Sequence, residues 1–176
     1  MKIERPRDTE FAPFYAGYVS LVPEGEVLDV LAAQPGEVGR LAASVPQARE
    51  THRYGPGKWS VREVLGHVTD GERVFGYRAF CISRGEQAPL PGFDEQDYVR
   101  TSGFDARPLA EIAREFALLR EVNLGVLRRL SDTDWDRMGT ASGTPVSVRA
   151  LAYILGGHVR HHLGILRDRY GVGTAA

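Results

Sequence analysis

Ser60-Val61-Arg62-Glu63-Val64-Leu65-Gly66-His67 spells out a helix start in side-chain chemistry. The Ser60 hydroxyl is placed to accept from the Glu63 amide while the Glu63 carboxylate reaches back to the Ser60 amide. This reciprocal cap satisfies two donors that a helix start otherwise leaves unpaired. From there Val61, Val64, Leu65, Val68, Phe75 and Ala79 fall on one stripe at about 100° per residue. A helix with one apolar face is therefore predicted from Ser60 to near Ser83-Arg84-Gly85.

Upstream, residues 24–45 carry Val27, Val30, Leu31, Val38 and Leu41 at helical spacing, interrupted by Pro35-Gly36. A break or kink is expected at Gln34, because proline has no amide to donate and disfavours helix in the residue before it. The following loop ends in Tyr54-Gly55-Pro56-Gly57-Lys58-Trp59, whose tryptophan is expected to pack on the bundle end. Downstream of Asp105 and Pro108, Leu109, Ile112, Ala113, Phe116, Leu119, Leu127 and Leu130 share a face that stops near Ser131-Asp132. A turn-rich segment from Gly139 to Pro145 leads to a last helix from about Ser147 to Tyr170, closed by Gly171.

Four amphipathic helices predict an all-α, four-helix bundle. The connection between helices two and three, residues 85–106, is rich in proline, glycine and acidic residues and too long for a tight antiparallel turn. It is expected to be a structureless crossover loop, leaving helices two and three parallel in an up-down-down-up topology. Loops of this length often carry function.

The 176 residues suffice for one domain, 1–176, with its core at about 24–170. With 22 basic against 23 acidic residues, a net charge of -1 and no block of like charge, nucleic acid and anionic membranes are poor partners. No segment approaches the roughly 20 apolar residues of a membrane span. The start, Met1-Lys2-Ile3-Glu4-Arg5-Pro6-Arg7-Asp8-Thr9-Glu10, lacks the apolar run of a secretion signal, so a cytoplasmic location is expected. The single cysteine, Cys81, excludes an internal disulfide and a cysteine-rich metal knuckle and is expected to be a small buried side chain.

Histidines stand at 52, 67, 158, 161 and 162. With Val148 at 0° on the wheel of the last helix, Leu151, Leu155, Val159 and Leu166 lie between about 300° and 20°. His158 falls at about 280° and His162 at about 320°, on the core side, while His161 at about 220° points to solvent or a groove. Residues four apart lie one above the other, a geometry in which two imidazoles can grip one ion. Burying either imidazole without a partner costs about 1–3 kcal/mol, so the pair asks for a common reason. His67, on the flank of the helix-two stripe, can face them. His67, His158 and His162 are therefore the candidate metal ligands. Three imidazoles with an open position describe a catalytic rather than a structural site. Val159 and Arg160 occupy the positions where the zinc-protease motif places its glutamate, so protease chemistry is not expected.

Other polar residues have two readings each. Glu72 either supports a ligand imidazole or bonds to a donor elsewhere in the bundle. Asn123 orients a ligand or bridges helices. Phe93, Asp94, Asp97 and Tyr98 line the mouth of the site, with the acidic pair selecting a cationic group, or belong to a solvated loop. His52 and His161 are expected in solvent, and Arg160 in a surface salt bridge or against a substrate carboxylate.

The segment Gly57-Lys58-Trp59-Ser60-Val61-Arg62-Glu63-Val64-Leu65-Gly66-His67, followed by Gly157-His158-Val159-Arg160-His161-His162-Leu163-Gly164-Ile165-Leu166, resembles the DinB/YfiT-like superfamily of metal-binding bundles from about Glu26 to Tyr170. The resemblance implies an up-down-down-up four-helix bundle with three histidines, here His67, His158 and His162, on a divalent ion. It further implies thiol-dependent transferase or isomerase relatives using bacillithiol, mycothiol or glutathione, and a homodimer.

The expected function is a metal-dependent thiol S-transferase or hydrolase acting on a small electrophile, with a low-molecular-weight thiol as cosubstrate. Its alternative is a non-catalytic metal- or ligand-binding protein of stress response. In a third case the histidines are plain core polar groups. Zinc or nickel fits the donor set first, and iron or copper also fits.

Overall fold

The computed structural model describes residues 2–173. Four long helices form the bundle: α2 (Val27–Ser44), α3 (Val61–Ser83), α5 (Leu109–Leu127) and α7 (Val148–Tyr170). Shorter elements join them: α1 (Ala16–Ser20), α4 (Glu95–Ser102), α6 (Asp132–Trp135) and a hairpin of β1 (Met138–Ala141) with β2 (Thr144–Ser147). The cap at Ser60 is reciprocal, with Glu63 N donating to Ser60 Oγ at 3.0 Å and Ser60 N to the Glu63 carboxylate at 2.8 Å. No helix among the described residues is long and apolar enough to cross a membrane.

Two apolar clusters fill the bundle. One gathers Val27, Leu31, Phe75, Ile82, Leu124, Leu127, Val148 and Leu151, and the other Val38, Leu41, Val61, Leu65, Leu109, Phe116, Val159 and Leu166. Cluster membership fixes chain direction. Helices α2 and α7 run from the first cluster to the second, and α3 and α5 from the second to the first, so the connection across residues 85–106 spans the bundle length.

Between the clusters lies a charged layer built on Arg120, fully buried, whose Nε and Nη2 donate to Glu72 at 2.8 and 2.7 Å. Asn123 Nδ2 donates to the same carboxylate at 2.7 Å, and Arg120 Nη1 to Gln34 Oε1 at 2.5 Å. Gln34 Nε2 then donates to the Gly156 carbonyl at 2.7 Å. All four long helices meet in this layer, and both Glu72 and Asn123 serve in it as inter-helix bonds.

The layer also explains why α2 does not break at Gln34. The helix runs unbroken from Val27 to Ser44 with Pro35 inside it. Proline cannot donate to the Leu31 carbonyl four residues back. Arg120 Nη1 donates to that oxygen instead, at 3.2 Å. A side chain from α5 replaces the missing backbone donor, which no pattern within residues 24–45 could reveal.

Other expectations are corrected. Residues 85–106 are not structureless. Asp94 caps α4 by accepting from Gln96 N and Asp97 N, and Gly103, with φ 66°, ends it. The turn-rich stretch 139–145 is a hairpin, with Ser142 and Gly143 in left-handed conformation at φ 52° and 75° forming its two-residue turn. Arg120 takes the core position on α5, and Leu119 is only half-buried. Cys81 is likewise half-buried. The buried apolar set extends past the expected 24–170 core to Ile3, Phe11, Val19, Val22 and Val172. The N-terminal arm is fastened to α7, where Tyr153 Oη donates to the Ile3 carbonyl at 2.9 Å and Arg149 pairs with Glu10 at 2.6 Å.

Removing one partner of a buried pair strands the other charge. Arg120→Met is expected to lower unfolding stability in urea by about 3–5 kcal/mol. Glu72→Gln combined with Arg120→Met should cost less than the two single changes added together, and simple additivity would show that the pair does not act as a unit.

Candidate metal centre

The site is made where α3 and α7 cross. His67 sits two turns into α3, and His158 and His162 lie one turn apart on α7. All three are buried, at 7, 4 and 7% exposure. Each offers one ring nitrogen to a common point, and the three nitrogens lie within 4.8 Å of one another. Nε2 of His158 and Nε2 of His67 are 3.0 Å apart. Nitrogens sharing one zinc ion at about 2.0–2.1 Å stand roughly 3 Å apart, so this separation suits joint coordination. Neither nitrogen of the His162 ring has a hydrogen-bond partner among the described residues, although both are closed off from water. An orphaned buried imidazole beside two others is the donor set a divalent ion completes.

Close approach of the backbones creates the room. A Cβ on Gly71 would stand 2.6 Å from Cε1 of His158, so the imidazole occupies the space a side chain on α3 would fill. A Cβ on Gly157 would run into the Tyr18 carbonyl oxygen, so α1 lies directly on α7 beside His158. Sequence periodicity marks neither glycine, because their reason lies on another element.

Electrostatics hold the imidazoles neutral. Burial, with His161 adding a little, pushes His67 down to about 4. His158 lies well below the ordinary histidine value through burial, then His162 and His67, with the Arg120 charge contributing. Burial, followed by His67 and His161, does the same to His162. Neutral imidazole is the form that ligates a metal.

Above the triad is a cavity of about 170 Å³ walled by Phe14, Tyr15, Tyr18, Trp59, Phe75 and Phe93, with Ser142 and Glu95 at its edges. A second cavity, of about 200 Å³ and lined by Tyr54, Lys58, Gln96 and Tyr170, also reaches Trp59 and His162. The Tyr18 ring centre lies 5.4 Å from that of His158, and burial raises the Tyr18 phenol above its ordinary value, with Tyr15 and Glu95 adding to the shift.

Of the other sequence candidates, Phe93 lines the first cavity and the tilted ring of Tyr98 packs against it with ring centres 5.2 Å apart. The expected acidic pair is elsewhere. Asp94 is spent on the α4 cap and Asp97 pairs with exposed Arg100, leaving Glu95 as the carboxylate at the mouth. Glu72 faces Arg120, not the histidines. His52 and His161 are exposed, and Arg160 donates to the Leu21 carbonyl at 2.6 Å rather than forming a salt bridge. The N-terminal arm adds an aromatic wall, Phe14, Tyr15 and Tyr18, that helical periodicity does not point to. The run Phe11-Ala12-Pro13-Phe14-Tyr15-Ala16-Gly17-Tyr18 is its only signal.

The sequence profile of the DinB superfamily matches residues 31–166. Among solved structures, YfiT from Bacillus subtilis, described as a probable metal-dependent hydrolase with an unusual four-helix bundle topology, superposes with a TM-score of 0.72 at 17% identity. The match covers 94% of this chain and 93% of that one. The mycothiol-dependent maleylpyruvate isomerase gives 0.63 at 16% identity, covering 82% of this chain and 61% of the isomerase, so this chain spans about three fifths of that protein. The DinB-like protein YjoA from Bacillus subtilis gives 0.56 at 19% identity over 80 and 86% of the two chains. At these identities the likeness establishes the fold alone. No functionally curated protein matches the sequence.

The unfolded chain protonates these histidines near pH 6.5, while the folded state keeps them neutral until lower pH. Stability present above about 6.5 is therefore lost as the pH falls toward about 4, with His67 alone contributing on the order of 3 kcal/mol. Urea midpoints of chelator-treated protein from pH 7 to 4 should show this slope. An unchanged slope in a variant with all three histidines replaced by glutamine would assign it to other groups. Gly71→Ala is expected to weaken zinc binding by about 10–100-fold by displacing His158, although alanine is the better helix former. Equilibrium titration with a zinc indicator measures this.

Proposed function

We propose that this chain, which belongs to the DinB superfamily, binds one divalent metal ion through His67, His158 and His162. We further propose that it uses the ion to transfer a low-molecular-weight thiol to a small electrophile. The observation that carries this reading is the buried trio of neutral imidazoles whose nitrogens converge within 4.8 Å, one of them with no other partner. A divalent ion held there would supply Lewis acidity, lowering the pKa of a thiol placed on it so that thiolate forms near neutral pH.

The protein's own residues do the rest. His67, His158 and His162 stay neutral and so keep their lone pairs available. Gly71 and Gly157 hold α3, α7 and α1 close enough to fix the rings. The aromatic wall excludes water from the reacting atoms and seats an apolar electrophile. No carboxylate belongs to the histidine cluster among the described residues, and Glu72 is held by Arg120. The histidine cluster thus carries no carboxylate base of its own, which favours a nucleophile that would be activated by a bound metal. Two cavities meeting at His162 suit two substrates, thiol from one and electrophile from the other.

The description of the similar YfiT structure supports hydrolysis as the alternative. Zinc and nickel suit three imidazoles first, and the thiol belongs to the class of bacillithiol, mycothiol or glutathione.

Untagged protein purified without chelator is expected to contain about one metal ion per chain, and a His158→Ala, His162→Ala double variant essentially none. Turnover of an electrophile panel should require both metal and thiol. Turnover with metal alone would establish the hydrolase instead, metal uptake without either activity a binding protein, and failure to take up any metal would leave the histidines as core polar groups.

A further inference from the structure

Arg78 is a charge buried directly behind the part of the first cavity's wall that Phe75, Phe93 and Ser142 form. Its residue is 3% exposed. Nη2 donates to the Pro91 carbonyl at 2.7 Å and to Ser142 Oγ at 2.8 Å. The guanidinium carbon stands 5.9 Å from the Phe75 ring centre and 5.8 Å from that of Phe93, and both rings line the cavity. Arg120, equally buried, is neutralised by Glu72, and Arg149 by Glu10. No acidic side chain pairs with Arg78 among the described residues. Its Nε and Nη1 find no acceptor among the described residues, yet neither is sealed from solvent.

A buried charge without a counterion is costly, and two neutral oxygens with two ring faces offset only part of that cost. Ser142, which receives Nη2 and lines the cavity, is the only non-glycine residue with positive φ among those described, at 52°. Strained residues of this kind persist where the surroundings or the function require them. The histidines lie at the other end of the same cavity: the Phe75 ring centre is 5.6 Å from that of His158 and 6.5 Å from that of Phe93.

Resting on the metal-pocket reading above, we infer that Arg78, oriented by Ser142, forms a carboxylate-binding subsite at the end of the cavity away from the histidines, and that the electrophilic substrate is a small carboxylate with a flat apolar body. The guanidinium fork matches a carboxylate in plane and spacing. The rings between Arg78 and the histidines match a flat body. Glu95, the other charged group at the cavity, is exposed at the rim, where water and salt screen it. Buried Arg78, joined by any ion the histidines hold, would therefore set the sign of the interior.

Calorimetric titration of the full chain with phenylacetate, 2-phenylethanol and 2-phenylethylammonium tests this, in zinc-loaded and in chelator-treated protein. Phenylacetate is expected to bind about tenfold or more tightly than the other two in both preparations. Arg78→Gln should abolish that preference, Arg78→Lys keep part of it and Ser142→Ala weaken it, all with zinc content unchanged. Wild-type protein that favours the alcohol or the ammonium ion, or binds none of the three, overturns the inference. A preference that survives Arg78→Gln does so as well, since the carboxylate would then sit on the metal or elsewhere. If Arg78→Gln fails to fold, Ser142→Ala at the exposed hairpin tip decides, and an unaltered preference there is equally fatal. Loss of zinc uptake by wild type would sink the metal reading alone, because the Arg78-dependent preference is measured without metal too.

Discussion

Arg120 holds the bundle together at its middle, and its guanidinium is used on every side. Two nitrogens face Glu72 on α3, the third serves Gln34 and the Leu31 carbonyl on α2, and through Gln34 the network reaches Gly156 on α7. A buried ion pair is not in itself strong evidence of stability, because desolvating two charges costs about what their attraction returns. Its effect here is on register. The layer satisfies the carbonyl that Pro35 orphans, keeps α2 continuous, and fixes the height at which the four helices pass one another. Apolar clusters above and below it are free to pack, since apolar contact alone specifies position along a helix only loosely.

The histidine site depends on that register. His67 is on α3 and the other two imidazoles are on α7, so a slip of one helix by a residue would separate their nitrogens by more than the 4.8 Å that now spans them. Gly71 and Gly157 add a second constraint by letting rings and backbone occupy space where side chains would stand. The Arg120 charge also bears on His158 and disfavours its protonated form. One charged layer thus positions the site and helps keep it in the protonation state suited to a metal.

The approach to the site belongs to segments outside the four long helices. Tyr15 and Tyr18 come from the N-terminal arm, Phe93 and Glu95 from the start of α4, and Ser142 from the hairpin tip. The bundle shared with YfiT, the maleylpyruvate isomerase and YjoA supplies the place for the histidines. These connecting segments shape the cavity above them.

By itself the sequence determined the four helices, the Ser60 cap, the apolar faces and the three histidines as a set. Each of these follows from local chemistry or from a period along one element: a hydroxyl three residues before a glutamate, apolar residues at helical spacing, imidazoles four apart on the core side. Only the tertiary structure decided what depends on a partner from another element. Pro35 stays helical because Arg120 reaches Leu31, Glu72 is spent on Arg120 rather than on a histidine, and Gly71 is vacant for His158. Residues 138–147 form a hairpin that takes up Leu90 as a neighbour, with Leu90 N donating to the Thr140 carbonyl at 2.8 Å. The N-terminal aromatics come to rest over the histidines because Ile3, Glu10 and Val22 find their places on α7 and in the core. Such pairings leave no period in the sequence, because the groups that make them lie far apart along the chain.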